Sequence, residues 1–491
     1  MGLSFVVGGS LPGRPGSGGG AHTANRATGA AAVTLAGVTS ILWFRRDLRL
    51  HDHPALLAAH ADGDVVPLVV LDPALVEDRI PRVAAFLGCV AALADSIAER
   101  GGRLVVRYGR PEEVVPAVAT EAGARRVHVT AESEPYGRRR DDAVRAALAA
   151  LPEPVDLVAT GTPYAIGPGV ITKGDGEPYK VFTPFSKAWR DHGAPGPAPL
   201  PDVSWHDLDS EELPSPPEVV ATLPPLGEDA AWQRWADFCD EGLERYALDR
   251  DRPDLDATSH MSVHLKFGAI HPRTLLADIA AHPAGGSEGA QTYLTELVWR
   301  EFYADVLWHR PDSEWRDLRQ ALADMEYDDP AEDPDAAALF DAWREGRTGY
   351  PIVDAGMRQL AAIGWMHNRV RMITASFLTK DLHVWWPHGA HHFLDHLVDG
   401  DPASNNHGWQ WAAGTGTDAA PYFRVFNPLT QGAKFDPRGD YVRRWVPELA
   451  DVGGGEVHDL AAVSRVAGYP APIVDHAEER REALRRYESV R

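Results

Sequence analysis

The 491-residue chain has two cysteines, Cys89 and Cys239. Two cysteines are too few for a disulfide framework or a cysteine-based zinc site, so we expect a reducing, cytoplasmic environment. No apolar run reaches the ~20 residues that a membrane-spanning helix needs. These absences exclude a disulfide-stabilised secreted domain and an integral membrane protein, and they predict a soluble chain with no membrane partner.

Positive charge is also scarce. Lysine and arginine together number 48 against 71 acidic residues, which gives a net charge of -23. Binding to duplex DNA depends largely on phosphate neutralisation, so this balance excludes nonspecific binding over the whole surface. A local basic face stays compatible with it, and most of the cations are arginines, which suit bidentate phosphate contacts. The 15 tryptophans permit stacking on a flat ring.

The composition changes three times along the chain. Residues 1–38 are rich in Gly, Ala, Ser and Thr without a secretory signal, and we expect a disordered N-terminal extension. Residues 39–160 alternate strand-like and helical runs, which predicts a doubly wound α/β domain with a parallel sheet. The Pro- and Gly-rich residues 161–229 are predicted to be a linker. Residues 230–491 show helical patterns and predict an all-α domain.

The α/β domain is predicted from runs that are apolar on both faces, as buried parallel strands are. A helix is expected between residues 81 and 100, where apolar residues recur at three- and four-residue steps. Ligands of such a fold bind beyond the carboxyl ends of the strands. The predicted strands are residues 41–44, 65–71, 103–108, 126–131 and 155–158.

Residues 364–411 combine side chains that a bland core helix does not need. Asn368, Arg371 and Met372 share one side of a predicted helix, with Trp365 beneath them. Polar groups beside indoles suit a polar ligand that also carries a flat aromatic ring. The structural alternative is an amphipathic helix, a turn and a Trp-rich core. Further polar and indole side chains follow in this stretch: Asp399, Asp401, Asn405, Asn406, Trp409 and Trp411.

This stretch resembles the flavin-binding core of the photolyase and cryptochrome family, and within it the class I cyclobutane pyrimidine dimer photolyases. The similarity extends from ILWFRRDLRL, at residues 41–50, to KFDPRGDYVRRWVPEL, at residues 434–449, and beyond. It implies an antenna domain, a linker and a helical domain that encloses FAD. The implied function is light-dependent repair of pyrimidine dimers in DNA by electron transfer from photoexcited reduced FAD. The alternative is a cryptochrome-like blue-light photoreceptor that signals without repair, although we expect no long signalling tail.

The resemblance also implies the residues that contact FAD. Thr258 and Ser259 precede a predicted helix, where they can cap it and hold the flavin pyrophosphate together. An ion pair between Arg371 and Asp399 is expected beside the isoalloxazine ring, and Asn405 is expected near flavin N5. The remaining FAD contacts are expected at Tyr246, Met261, Ser262 and Asp401.

Glu296 and Trp299 lie three residues apart and so share one helical face. From spacing alone, an amphipathic helix with a solvated glutamate is the preferred interpretation. An apolar cavity would favour the acid form of Glu296 through desolvation. The resemblance implies that Glu296 hydrogen-bonds the dimer carbonyls, that Trp299 packs against the bases, and that Asn368 and Met372 also contact the dimer.

Ultraviolet-damaged DNA is the partner that the resemblance implies, and we expect the protein to act as a monomer. The dimer must be flipped out of the duplex, at a cost that is lower for damaged bases. Indole stacking offsets part of that cost. The expected DNA contacts are Arg250, Arg300, Arg369, Trp411 and Arg424.

Trp409 and Trp386 match the inner and middle members of the family's electron-transfer chain. Tyr327 matches the outer member, where the family has a tryptophan. Because tyrosine must lose a proton to be oxidised readily, we expect slower photoreduction along this route. Trp315 and Trp343 are the alternative exits to the surface.

An antenna chromophore is the last group that the resemblance implies. Glu132, Glu134 and Lys266 match positions that contact 8-hydroxy-5-deazaflavin in some family members, whereas methenyltetrahydrofolate or no antenna are the alternatives. Residues 179–189 resemble a family segment that packs back on the first domain.

Two further patterns predict no site. His392 and His396 have the i, i+4 spacing of a metal face, but no cysteine or well-spaced carboxylate completes a ligand set, so no metal is expected. The AGTGTD string at residues 413–418 lacks the third glycine of a dinucleotide fingerprint.

Overall fold

The computed structural model describes residues 39–78, 80–322, 324–417 and 423–490. The predicted extension, residues 1–38, lies outside the described residues. A parallel sheet with its helices comes first, and a helical domain follows. The predicted order of an α/β domain and an all-α domain is therefore confirmed.

The sheet has five parallel strands in the order β3-β2-β1-β4-β5. Every residue of the second strand after its first is buried, as expected of a strand with helices on both faces. The third strand starts two residues later than its apolar run predicted. The strands are β1 (Thr39–Phe44), β2 (Asp64–Leu71), β3 (Val105–Tyr108), β4 (Arg126–Val129) and β5 (Asp156–Ala159).

Helices cover both faces of this sheet, and each one begins with proline. Proline suits the first helical position because its fixed φ is helical and its missing N–H would be unpaired there. The third helix is apolar and long enough to cross a membrane, but its Val83, Leu87 and Val90 pack in the sheet core. The helices are α1 (Pro54–Asp62), α2 (Pro73–Val76), α3 (Pro81–Ala98), α4 (Pro111–Ala122) and α5 (Pro135–Ala149).

After β5, the regular elements of the described residues are helices, joined by long loops. It comprises α6 (Phe182–His192), α7 (Glu228–Glu241), α8 (Tyr246–Asp249), α9 (Met261–Phe267), α10 (Pro272–Ala281), α11 (Glu288–His309), α12 (Pro334–Arg344), α13 (Pro351–Ile363), α14 (Asn368–Lys380), α15 (Trp386–His396), α16 (Pro402–Ala413), α17 (Pro428–Phe435), α18 (Asp440–Trp445), α19 (Leu460–Val463) and α20 (His476–Ser489). Short 3-10 turns lie at Pro311–Glu314, Gln320–Leu322, Pro447–Leu449 and Gly454–His458.

Helix α6, in the predicted linker, packs differently from the expectation. Its Phe185 and Trp189 are buried against Val298 and Phe302 of α11. The prediction that this segment packs back on the first domain is therefore wrong. Its apolar face is covered by the long helix of the helical domain instead.

The loop after β1 meets the end of α9 at very short range. The amide of Leu48 donates to the carbonyl of Phe267 at 3.1 Å. Gly268 follows with a φ of 64°, and a Cβ there would lie 2.0 Å from the backbone oxygen of Arg46. A residue other than glycine would therefore separate the two domains at this point.

Candidate active site

A cavity of 460 Å³ opens within the helical domain, between α8, α9, α11, α14 and α16. Its size is typical of a site for an organic ligand. It brings together most of the predicted site residues: Tyr246, Arg250, Ser259, Met261, Ser262, Lys266, Glu296, Trp299, Arg300, Asn368, Arg371, Met372, Asp399, Asp401, Asn405, Trp409 and Trp411. The predicted residues outside its lining are Thr258, Trp386, Tyr327, Glu132, Glu134, Arg369 and Arg424.

The sequence reasoning missed most of the apolar lining of this cavity. On α11 the missed Tyr293 and Tyr303 lie one turn before and two turns after Glu296, so continuing the helical count would have found them, and Leu297 directly follows that glutamate. No local signal points to those on α15 and its end, because they reach the cavity through the tertiary fold. The missed residues are Leu265, Tyr293, Leu297, Tyr303, Ala375, Phe393, Leu397, Ser404 and Gly408.

The first turn of α14 presents one predicted face to the cavity. His367 caps the helix, because its ring accepts a hydrogen bond from the amide of Arg369. This fixes the register that places Asn368, Arg371 and Met372 together in the lining. The predicted pattern of residues on this helix is therefore confirmed.

The expected ion pair is also present. Arg371 donates from Nη2 to both carboxylate oxygens of Asp399, at 2.9 and 3.1 Å. Its Nε donates to the carbonyl of Met366 at 2.7 Å, which fixes the guanidinium plane. The Asp399 side chain is 3% exposed and that of Arg371 is 24% exposed, so the carboxylate is buried in the wall of the cavity and the guanidinium is partly open to solvent.

Helix α16 starts at the floor of the cavity. Asp401 is its N-cap and accepts a hydrogen bond from the amide of Ser404 at 3.0 Å. One turn on, the side-chain amide of Asn405 donates from Nδ2 to the carbonyl of Ala390 at 3.2 Å. Asn405 and Trp409 therefore reach the cavity from a capped, fixed helix.

A cluster of charges joins this helix to the α/β domain, where the sheet order reverses between β1 and β4. Arg46, just after β1, donates to Asp401 at 2.8 Å and to Glu134, just after β4. Its Nη1 also lies 3.6 Å from Glu132. Burial opposes ionisation of Asp401, but Lys266 and Arg46 outweigh it and hold the pKa of this carboxyl well below its usual range.

This cluster includes all three residues matched to the antenna. Glu132 and Glu134 face Arg46, and Lys266 is close enough to Glu134 and Asp401 to shift their pKa values. Lys266 lines the cavity, whereas the two glutamates lie outside it. The three residues are thus brought together, but their charges are balanced within the protein.

The start of α9 differs from the prediction. His260, with a φ of 54°, is the N-cap residue, and its side chain makes no capping hydrogen bond. Ser259 instead accepts from the amide of Met261 at 3.2 Å and from the Tyr293 hydroxyl at 3.1 Å. The carbonyls of Thr258 and Ser259 bind the guanidinium of Arg234. The predicted cap at the Thr-Ser pair is therefore shifted by one residue.

Glu296 lines the cavity from α11, and its side chain is partly exposed. Its carboxylate accepts from Nη1 of Arg250 at 2.5 Å. Desolvation in the cavity wall raises the pKa of Glu296, although Arg250 opposes the shift. The raised pKa agrees with the expectation that the cavity favours the acid form of Glu296. Arg250, predicted to contact DNA, instead forms an ion pair with this carboxyl group.

The other predicted DNA contacts also have partners inside the protein. Arg369 forms a bidentate pair with Asp251 at 2.8 Å. Arg300 donates to the carbonyls of Pro163 and Leu265 at 3.1 and 3.3 Å. The guanidinium of Arg424 lies 5.5 Å from the ring of Trp411. A role of these residues in DNA binding stays a prediction.

The indoles matched to electron transfer lie in the core. Trp409 lines the cavity at 2% exposure, and its Nε1 has no hydrogen-bond partner among the described residues. Trp386 is fully buried and donates from Nε1 to Asp317 at 2.7 Å. The ring of Trp315 is parallel to that of Trp386, with centroids 6.4 Å apart.

The two other candidates for the outer position differ from Trp315. Burial raises the pKa of Tyr327, and its hydroxyl has no hydrogen-bond partner among the described residues. Loss of the phenol proton is therefore unfavourable there. Trp343 contacts Trp409 at 6.0 Å but is 0% exposed, so it is not itself an exit to solvent.

These features fit a flavin. The cavity offers an ion pair, a capped helix start with an asparagine, and an unpaired indole N–H beside apolar rings. An isoalloxazine ring with polar edges and apolar faces matches this mixture. Arg371, Asp399 and Asn405 would hold the ring, and Ser259 with Ser262 would hold the more polar part of the cofactor.

Comparison with known proteins agrees with this fit. Residues 40–204 match the family described as DNA photolyase, and residues 293–489 match the FAD binding domain of DNA photolyase. A deoxyribodipyrimidine photo-lyase from Streptomyces griseus is 43% identical over 458 residues, which cover 90% of this chain and 97% of that protein.

Solved structures show the same fold. A class III photolyase from Agrobacterium tumefaciens has a TM-score of 0.83 at 36% identity and covers 94% of this chain and 99% of its own. A cryptochrome from Synechocystis has a TM-score of 0.83 at 26% identity and covers 92% and 99%. The two family matches, together with the 43% identical Streptomyces griseus relative that is covered to 97%, show that the chain belongs to the DNA photolyase family.

Proposed function

We propose that this protein is a deoxyribodipyrimidine photo-lyase, which binds FAD and uses light to repair cyclobutane pyrimidine dimers in DNA. The observation that carries this function is the arrangement of the cavity. Glu296 and Trp299 on α11 line the same cavity as Asn368 and Met372 on α14, and the Arg371–Asp399 ion pair is part of that lining. The Streptomyces griseus relative carries this activity in its name, and the match covers 97% of its length.

The residues of the cavity divide the work. Reduced FAD, when bound and excited by light, supplies the electron that splits the cyclobutane ring. Glu296 in its acid form donates a hydrogen bond to a carbonyl of the dimer, which stabilises negative charge that develops there. Trp299 offers a stacking surface to the flipped bases. Asn368 and Met372 orient the dimer, and the enclosing helices exclude water.

We further propose that the protein is of class I and carries 8-hydroxy-5-deazaflavin as its antenna. Support comes from the sequence match of Asn368 and Met372 for the class, and of Glu132, Glu134 and Lys266 for the antenna. The absorption spectrum of the pigment extracted from the purified protein tests the antenna. A folate spectrum, or flavin alone, would contradict it. We also propose that the protein is a cytoplasmic monomer that binds damaged DNA.

The competing function is blue-light signalling without repair, and the Synechocystis cryptochrome shows that the fold alone does not separate the two. The test is illumination of the reduced, FAD-loaded protein with ultraviolet-irradiated oligothymidine, followed through the recovery of thymine absorbance. Repair by the wild type, with a strong loss in Glu296→Ala at unchanged flavin content, is expected. No recovery with the fully reduced wild type would refute the repair function.

A further inference from the structure

The linker helix α6 supplies a ring that stacks on the predicted lesion wall. The rings of Phe182 and Trp299 are parallel within 5°, and their centroids are 3.6 Å apart. Phe182 is the first residue of α6. A ring from the linker therefore covers one face of the indole that α11 brings to the cavity.

The ring of Phe182 is itself held in place. It meets Phe302 edge-on, with centroids 5.8 Å apart at 73°. Phe302 is fully buried and also makes an edge contact with Trp299 at 5.7 Å. Phe182 and Phe302 thus fix the plane of the indole from two sides, and the tilted ring of Tyr303 is a further neighbour, with its centroid 5.4 Å from that of Trp299.

The packing of α6 makes this arrangement rigid. Three residues after Phe182, Phe185 is 1% exposed and packs on Phe302 with centroids 5.2 Å apart. Trp189, one turn further, is buried in the same cluster. The helix start cannot move away from Trp299 without breaking these buried contacts.

We propose that Phe182 is a positioning residue for lesion binding: it covers one face of Trp299 and holds the opposite face ready for the flipped dimer. The proposal rests on the repair function proposed above. Without the stacked partner, the indole would have to be ordered by the substrate itself, and that cost would weaken binding. The segment between the two domains would then help to select the substrate.

Dimer affinity in matched variants of the FAD-loaded protein tests this role. Phe182→Ala removes the stacked ring, and Phe182→Tyr keeps it. Phe185→Leu is the control, because this ring lies in the same cluster and contacts Tyr179 and Phe302. Binding of dimer-containing and undamaged oligonucleotides is measured in the dark, together with flavin content, thermal unfolding and repair per absorbed photon at saturating substrate.

An offset or edge aromatic pair stabilises enough to change an equilibrium roughly two- to tenfold. Phe182→Ala is therefore expected to weaken dimer binding roughly three- to tenfold, with binding of undamaged DNA and flavin content unchanged. Phe182→Tyr is expected to stay within about twofold of the wild type. Repair at saturation should change little, since the dimer, once bound, orders the indole.

Two results would overturn the proposal. One is wild-type dimer affinity in Phe182→Ala. The other is an equal loss in Phe182→Tyr and Phe185→Leu, which both keep an aromatic ring at position 182 and would therefore show that the stacked ring is not responsible. Absence of dimer binding and repair in the wild type would instead remove the proposed function itself, so the two failures are distinguishable.

Discussion

Arg46→Met tests the charge cluster that joins the two domains. The Arg46 side chain is 14% exposed and faces three carboxylates, those of Asp401, Glu134 and Glu132. Methionine keeps the volume of the side chain but leaves these carboxylates with Lys266 and the more distant Arg140. Removal of one partner from a buried ion pair costs about 3–5 kcal/mol, because the remaining charge stays desolvated. We expect a loss of that size in the free energy of unfolding.

The assay is urea unfolding of the FAD-loaded protein, followed by both far-ultraviolet circular dichroism and flavin fluorescence. Arg103→Met is the matched control, since its pair with Asp207 spans 2.9 Å at 51% and 75% exposure. An exposed pair contributes about 0–1 kcal/mol. Adding Glu134→Gln to Arg46→Met should recover part of the loss, because one unpaired charge is then removed. Equal unfolding free energies for the two single variants would refute the reasoning.

Three further predictions follow from the site and the core. Burial raises the pKa of Glu296, and its hydrogen-donating acid form is lost as pH rises through that pKa. Repair by the wild type should therefore decline as pH rises above that pKa, whereas repair by Glu296→Gln should stay level. Identical pH profiles of the two proteins would contradict this. Trp315→Phe should slow photoreduction of oxidised flavin severalfold and Tyr327→Phe hardly at all, because the ring of Trp315 is parallel to that of Trp386 with centroids 6.4 Å apart. Flash photolysis with an external reductant measures both rates. A larger effect of Tyr327→Phe would indicate that Tyr327 is the relay. Finally, burial lowers the pKa of His271 and His367 to about 4, so the unfolded chain binds protons at these histidines at a higher pH than the folded protein does. The free energy of unfolding should therefore fall as pH drops from about 6.5 towards 4, by up to about 3 kcal/mol per histidine. Equal unfolding free energies at the two ends of this range would disprove the prediction.

The sequence predicted the features that depend on local pattern. Runs such as β2 are buried on both faces and could be identified from their apolar residues alone. The shared face of Asn368, Arg371 and Met372 follows from the helical repeat, and the family resemblance supplied the partner of Arg371 across 28 positions.

Most of the errors and omissions concern contacts between distant segments, and one concerns a local turn. Helix α6 has an amphipathic pattern, but nothing in that pattern says which neighbour covers its apolar face. The contact of Arg46 with Asp401 spans 355 positions and depends on how two domains dock. The cap of α9 moved to His260 because a left-handed residue there turns the chain; histidine is enriched among non-glycine residues with positive φ, but most histidines do not adopt it, so the residue type alone did not predict the turn.

Asp401 belongs to two structures at once, since it ends the loop into α16 and meets a side chain from the other domain. A chimera that took its first domain from a relative would have to bring an equivalent cation, or the helix bearing Asn405 and Trp409 would lose a restraint at its origin. We therefore expect the residues at positions 46 and 401 to covary among relatives. Chimeras that take these two residues from different parents should bind FAD more weakly.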